Sequence, residues 1–230
     1  MTRSDPLVLL PGMNCSARLW AEVAARLHDV ETIPTALEEP DLDGCVDHLL
    51  AALPPRFALA GLSLGGIVAM ALVRRAPERV SRLCLADTNA RPPTTAQHEA
   101  WEAQLRELDR GVSARELQQR LLGVLLHPAA APSLVEQTLL MADETGGTAL
   151  AAQLRLQQSR IDERPALSRI TVPTLVIAGA DDALCPPERH QEIAAAIPGA
   201  DLTLLPDTGH LAPLERPEQV ADSLRAWLAR

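Results

Sequence analysis

One serine in this 230-residue sequence sits where an alcohol could be made a nucleophile. Ser63 is the centre of Gly61-Leu62-Ser63-Leu64-Gly65, at the point where the apolar run "FALAG" gives way to "GGIVAMALVRR", whose apolar residues fall at helical spacing. A serine hydroxyl attacks poorly until a base takes its proton, and that base needs a carboxylate to orient it. A sharp strand-to-helix corner holds such a serine in a strained backbone conformation, at a cost of about 1–3 kcal/mol. It also crowds strand against helix, so the positions two before and two after can carry little side chain. The corner sets the N–H of Leu64 beside the serine oxygen. A serine that merely capped a helix would need no flanking glycines.

Six histidines are candidates for the base. His28, His48, His98 and His190 fall within apparent helices and His127 at a helix end before Pro128, so each reads as a surface or packing residue. His210 differs: it follows the strand-like "DLTLLP" in the loop "DTGHLAPLERP", at the carboxyl end of a strand, where open parallel sheets place their chemistry. For the carboxylate, Asp181 and Asp182 lie just beyond the strand-like "TLVIAG"; Asp182 is favoured, with Asp181 as a turn former or support. Asp87, ending "VSRLCLAD", is a third candidate, although an aspartate closing a strand ordinarily caps the next turn.

These residues need a scaffold, and the hydrophobic pattern supplies one. "PLVLLPG", "VETIPT", "FALAG" and "VSRLCLAD" read as strands alternating with the helical stretches "ARLWAEVAARLHD", which Ser16 is placed to cap, "CVDHLLAAL" and the segment after Ser63. Near-continuous apolar strands buried on both faces call for a parallel sheet covered by helices. The alternation stops at "TNARPP": four helical stretches follow one another, two of them "PSLVEQTLLMADE" and "TALAAQLRLQQSR", before strands resume at "TVPTLVIAG". The expected organisation is a core of residues 1–89 and 166–230 with an all-helical insertion over 90–165.

Composition narrows the function. A net charge of -9 argues against nucleic acid, because nothing would offset phosphate repulsion. The four cysteines show no metal-ligand spacing, so no metal is expected, and they suit buried reduced thiols in a cytoplasmic protein. The apolar stretch at the start is too short for a signal peptide or membrane span. A small-molecule substrate is the partner expected, with neither nucleic acid nor membrane, and no pattern in the chain fixes an oligomeric state.

With "LLPGMNCSARLW", "GLSLGG", "VPTLVIAGADDALCPP" and "DTGHLAPLERPEQV" in this order, the chain resembles the α/β-hydrolase fold superfamily, specifically its serine esterase-like members with a helical cap. The similarity covers nearly the whole chain apart from the insertion, which sits where that family places its cap. In the family the order is nucleophile, acid, histidine. The acid usually stands three residues after the glycine that ends its strand and four before a proline, which selects Asp182, between Gly179 and Pro186. The resemblance implies a sheet of about six parallel strands, since the chain begins at what resembles the family's third strand. It implies an oxyanion hole of the Met13 and Leu64 N–H groups, although Pro11-Gly12 stands where the family often has His-Gly. The reaction expected is hydrolysis of a small carboxylic ester or thioester by Ser63, His210 and Asp182, without a cofactor. Alternatives with the same three residues are enol-lactone or carbon–carbon bond hydrolysis or a lyase step; a further alternative is a ligand-binding member without turnover. Members with an aspartate nucleophile are disfavoured by Ser63, and the absence of tyrosine removes the cap phenols of epoxide hydrolases. Leu121, Leu122, Leu125, Leu126, Leu139, Met141 and Trp101 supply apolar side chains within the insertion. Residues 88–168 hold eight arginines against ten acidic residues, so no basic landing patch for an acyl-carrier protein stands out. Arg155, Arg160 and Arg164 are placed to meet an acidic substrate, with solvated faces or an Arg160–Asp162 pair as the ordinary alternative.

Overall fold

The computed structural model describes residues 5–230, so the first four residues of the expected 1–89 segment lie outside the description. Six strands form one sheet in the order β2-β1-β3-β4-β5-β6, every pairing parallel. They are β1 (Leu7–Leu10), β2 (Thr32–Pro34), β3 (Phe57–Leu62), β4 (Val80–Ala86), β5 (Thr174–Gly179) and β6 (Asp201–Leu205). The residues of β1, β3 and β5 are all buried, as central parallel strands covered on both faces must be. The edge strands β2 and β6 are mostly half-buried, which is why their sequences are less apolar.

Strand alternation divides the core between the two faces. Val8, Leu10, Leu59, Leu83, Leu85 and Val176 pack with α2 (Leu42–Ala52), α3 (Leu64–Arg75) and α8 (Pro187–Ala196). Leu7, Leu9, Ala58, Ala60, Cys84 and Ile177 face α1 (Arg18–Arg26) and α10 (Pro217–Leu228), whose Trp20 and Trp227 are almost wholly buried. The four strand-like segments read before "TNARPP" all form strands. α1 starts at Arg18, whose N–H donates to the Ser16 hydroxyl at 3.3 Å, so Ser16 serves the helix start as expected; the same hydroxyl donates to Glu144 at 2.5 Å.

Between β4 and β5 run α4 (Thr95–Asp109), α5 (Ala114–Leu125), α6 (Pro132–Ser159) and the short α7 (Arg164–Leu167). Capping boxes at Thr94 with Gln97 and at Ser113 with Glu116 fix where α4 and α5 begin. The two helical stretches read from the sequence lie in α6 on either side of a break at Gly146, whose φ of 72° is open to glycine. Trp101, Leu105, Leu117, Leu150 and Leu154 give α4–α6 a small core of their own. Among the described residues no helix is long and apolar enough to cross a membrane.

The sheet order reverses beside β1: the chain leaves β1 for β2 on one side, whereas β3 and the later strands lie on the other. Loops leaving β1 and β3 therefore diverge, opening a crevice at their carboxyl ends. The Gly12-Met13 segment follows β1, and Ser63 follows β3.

Candidate active site

Ser63 occupies the one-residue corner between β3 and α3, with φ 53° and ψ −112°. That conformation is costly for a residue with a Cβ, and its neighbours over-determine it. The Ser63 N–H donates to Ala86 of β4 at 2.9 Å, and its carbonyl accepts from Ile67 N–H at 3.1 Å and from Thr88 Oγ1 at 2.7 Å. The glycines make the corner possible. A Cβ on Gly61 would lie 2.3 Å from the Gly65 carbonyl oxygen, and one on Gly65 would lie 2.6 Å from the carbonyl oxygens of Leu10 and Pro11. Strand, helix and the loop after β1 thus meet backbone to backbone.

His210 and Asp182 come together although 28 positions separate them. His210 Nδ1 lies 2.8 Å from Asp182 Oδ2, and both side chains are almost completely buried. The other carboxylate oxygen, Oδ1, accepts the N–H groups of Leu184 and Cys185, each at 2.8 Å. These bonds hold the carboxylate in one orientation and leave its Oδ2 for the imidazole, which fixes the tautomer with the proton on Nδ1. Asp181, by contrast, has a half-exposed side chain whose neighbour is His127 Nε2, at 3.8 Å. Asp87 does something else again: its carboxylate accepts Gly179 N–H at 2.8 Å and Ala212 N–H at 3.3 Å, joining the ends of β4 and β5 to α9 (Ala212–Glu215). Burial, with Asp182 nearby, pushes the Asp87 carboxyl well above the usual carboxylate range.

Ser63 and His210 line the same cleft, together with Gly12, Met13, Leu62, Gln118, Leu121, Leu125, Gln157, Leu184 and Leu211. Leu64 is the first residue of α3, where backbone N–H groups have no partner within the helix. Among the described residues, neither its N–H nor that of Met13 donates to another protein group. The arrangement offers a hydroxyl, an imidazole held by a buried carboxylate and two free backbone donors.

A model of the alpha/beta hydrolase family matches residues 7–223, nearly all of the described chain. The chain belongs to that family. Among curated relatives of this α/β hydrolase, a pimeloyl-[acyl-carrier protein] methyl ester esterase of Aromatoleum aromaticum is 30% identical, over 96% of this chain and 96% of its own length. A Mycobacterium tuberculosis protein that carries a non-heme bromoperoxidase name is 31% identical, over 98% of this chain and 94% of its own. Among solved structures, a thermophilic esterase from Thermogutta terrifontis, in a malate-bound form, superposes with a TM-score of 0.88 at 26% identity, covering 97% of this chain and 89% of that one.

The hydrolase also holds groups that the sequence pattern did not single out. His190 is fully buried, and its Nε2 accepts the Thr88 N–H at 2.8 Å, so His190, Thr88 and the Ser63 carbonyl form one chain of bonds behind the serine. Burial pushes its imidazole down to about 4, only partly opposed by nearby Asp182 and the Pro186 carbonyl. Glu215, in α9, is buried and accepts Gly209 N–H at 3.1 Å and His127 N–H at 2.9 Å; the His210 N–H donates to the Leu125 carbonyl at 3.0 Å. The loop bearing His210 is therefore tied directly to the end of α5. Spacing alone gives no sign of either group, although Glu215 lies in the quoted "LAPLERP". Asp182, Cys185 and His210 bring potential metal-ligating atoms within 4.8 Å of one another. Burial, aided by Asp182, pushes the Cys185 thiol up to about 12, so it stays protonated, while Asp182 and His210 are committed to each other.

The arginines of the insertion differ from the ordinary expectation. Asp162 pairs with Arg164, not with Arg160. Arg160 is buried, its two terminal nitrogens donating to Gln157 Oε1 at 2.8 Å and Gln97 Oε1 at 2.9 Å, with its guanidinium 5.2 Å from the centre of the Trp101 ring. Of the insertion leucines, Leu121 and Leu125 reach the cleft.

Proposed function

We propose that this α/β hydrolase cleaves small carboxylic esters or thioesters through an acyl-enzyme on Ser63. The observation that carries the reading is the buried Asp182–His210 pair at 2.8 Å, in the wall of the cleft that also holds Ser63. With its Nδ1 proton given to Asp182, His210 presents Nε2 as the basic nitrogen. It takes the Ser63 proton as the oxygen attacks the ester carbonyl, then returns it to the departing alcohol or thiol. Water repeats the sequence on the acyl-enzyme and restores the serine. Asp182 orients the ring and stabilises the imidazolium that forms in each half-reaction. The Met13 and Leu64 N–H groups receive the negative charge on the tetrahedral oxygen, worth about 3–4 kcal/mol per donor in a comparable hole. The ester hydrolysis named for the Aromatoleum and Thermogutta proteins supports the same reaction.

In this reading residues 90–165 act as a cap. α5 supplies Gln118, Leu121 and Leu125 to the cleft and α6 supplies Gln157. Mixing the enzyme with p-nitrophenyl acetate should give a burst of about one nitrophenolate per active site, lost in Ser63→Ala, and a fluorophosphonate should label Ser63. Folded enzyme with no burst from any short acyl ester and no label on Ser63 would refute the proposal. Esters left intact while an enol-lactone is consumed would keep the three residues and change the reaction.

A further inference from the structure

The cleft is lined by unspent hydrogen-bond donors, and behind one of them lies a buried positive charge without a counter-ion among the described residues. Gln118 is 2% exposed and lines the cleft; its Oε1 accepts from Asn14 Nδ2 at 2.9 Å, whereas its Nε2 has no partner. Gln157, which lines the same cleft, accepts from Arg160 at its Oε1, which leaves its NH2 group as the end free to bond. Behind Gln157, Arg160 is 6% exposed, its Nε is also unpartnered, and among the described residues no carboxylate lies within ion-pairing distance of it. Among the described residues, two amide oxygens and the face of Trp101 are what solvate its charge. Cys185, close enough to feel that charge, is a neutral thiol. A guanidinium stays charged when buried, and a buried charge without an opposite partner is expensive. Asn14 Oδ1 is also orphaned, an acceptor, but Asn14 is not among the cleft-lining residues.

We propose that the natural substrate carries a carboxylate, separate from the ester being cleaved, and that Gln118 and Gln157 receive it, with Arg160 polarising Gln157 from behind. This rests on the ester-hydrolase reading of the cleft and names the substrate class: short half-esters of dicarboxylic acids, or esters of a hydroxy acid. The remaining walls, Leu121, Leu125, Leu184 and Leu211, suit the few methylenes between the two groups. Gln118 and Gln157 contact the substrate; Arg160 is a positioning residue that acts through Gln157.

Methanol release from monomethyl glutarate is to be compared with release from its neutral monoamide, and acetate release from O-acetylglycolate with release from O-acetylglycolamide. One pair places the carboxylate on the acyl side and the other on the alcohol side. The expected result is a kcat/KM ratio of about tenfold or more in favour of the carboxylate in one pair. Gln157→Glu supplies Arg160 with an internal carboxylate, so it should raise Tm and bring that ratio to one or below. Gln118→Glu keeps the oxygen that Asn14 needs and replaces the free donor with an oxygen, so it should lower the ratio as well. Independently of turnover, glutarate should raise the Tm of Ser63→Ala, and not that of Ser63→Ala/Gln157→Glu. Ratios near one in both pairs, or a preference that survives both glutamine variants, would overturn the proposal. Stabilisation of Ser63→Ala by glutarate without hydrolysis of any ester would keep the carboxylate site and sink the esterase reading instead.

Discussion

His190 makes stability depend on pH in a way that can be isolated. Its imidazole is buried neutral, pushed down to about 4 from an ordinary 6.5 because burial penalises the charged ring, and its Nε2 accepts the Thr88 N–H. With the folded value depressed, the unfolded chain binds the proton first, so stability is full above pH 6.5 and falls as pH drops towards 4. That depression corresponds to about 3 kcal/mol once both states are protonated. Between pH 7 and pH 5 the loss is about 2 kcal/mol. Asp87 acts with the opposite sign, since its raised folded value favours the folded state at low pH. The quantity to measure is therefore the difference between the native chain and His190→Gln, which offers Thr88 a neutral acceptor that cannot titrate. Urea unfolding at pH 7, 6 and 5 should show the native chain losing about 2 kcal/mol relative to the variant. A constant difference over that range would mean that His190 is not a buried neutral acceptor, and the bond chain behind Ser63 would have to be redrawn.

Three further outcomes follow from the site. Asp182→Asn should lower kcat by up to about 10⁴-fold, because the imidazole loses its orienting partner, whereas Asp181→Asn should be far milder; steady-state kinetics on a p-nitrophenyl ester decides, and the reverse order would transfer the role to Asp181. Glu215→Gln replaces one of two acceptors with a donor facing an N–H; it should cost about 1–3 kcal/mol in urea unfolding and slow fluorophosphonate labelling of Ser63. Cys15, Cys45 and Cys185, each pushed up to about 12 chiefly by burial, should resist iodoacetamide at pH 8 in the folded enzyme and react after denaturation.

The parts of this molecule that obey simple periodicity were legible in its sequence. Buried strands such as "FALAG" and "TLVIAG" have almost no alternative to the middle of a parallel sheet, and the glycines beside Ser63 signal backbone contact that any side chain would prevent. Asp182 was favoured over its neighbour by where the resembled family places its acid; the turn itself holds no such signal in sequence, yet there the Leu184 and Cys185 N–H groups anchor one of its oxygens and leave the other to His210. What the pattern hid were contacts between distant segments. Ser16 accepts the first N–H of α1 as a serine before a helix should, but nothing local shows that Glu144, 128 positions away, takes its hydroxyl proton as well. Arg160 read as a surface arginine near Asp162, but burial against Trp101 turned it inward and left Asp162 to Arg164. His190 looked like one more helical histidine, because no local signal reveals that Thr88 requires an acceptor there.

The bonds from His210 to Leu125 and from Glu215 to Gly209 and His127 have a bearing on redesign. A Cβ on Gly209 would come within 2.6 Å of the His127 nitrogen, so the two segments fit with no slack. Transplanting the helices of another homologue onto this scaffold to change its selectivity would discard half of that joint. A chimera must carry over residues 125–127 with the loop they secure, or the recipient inherits a new pocket above a histidine that no longer holds its aim.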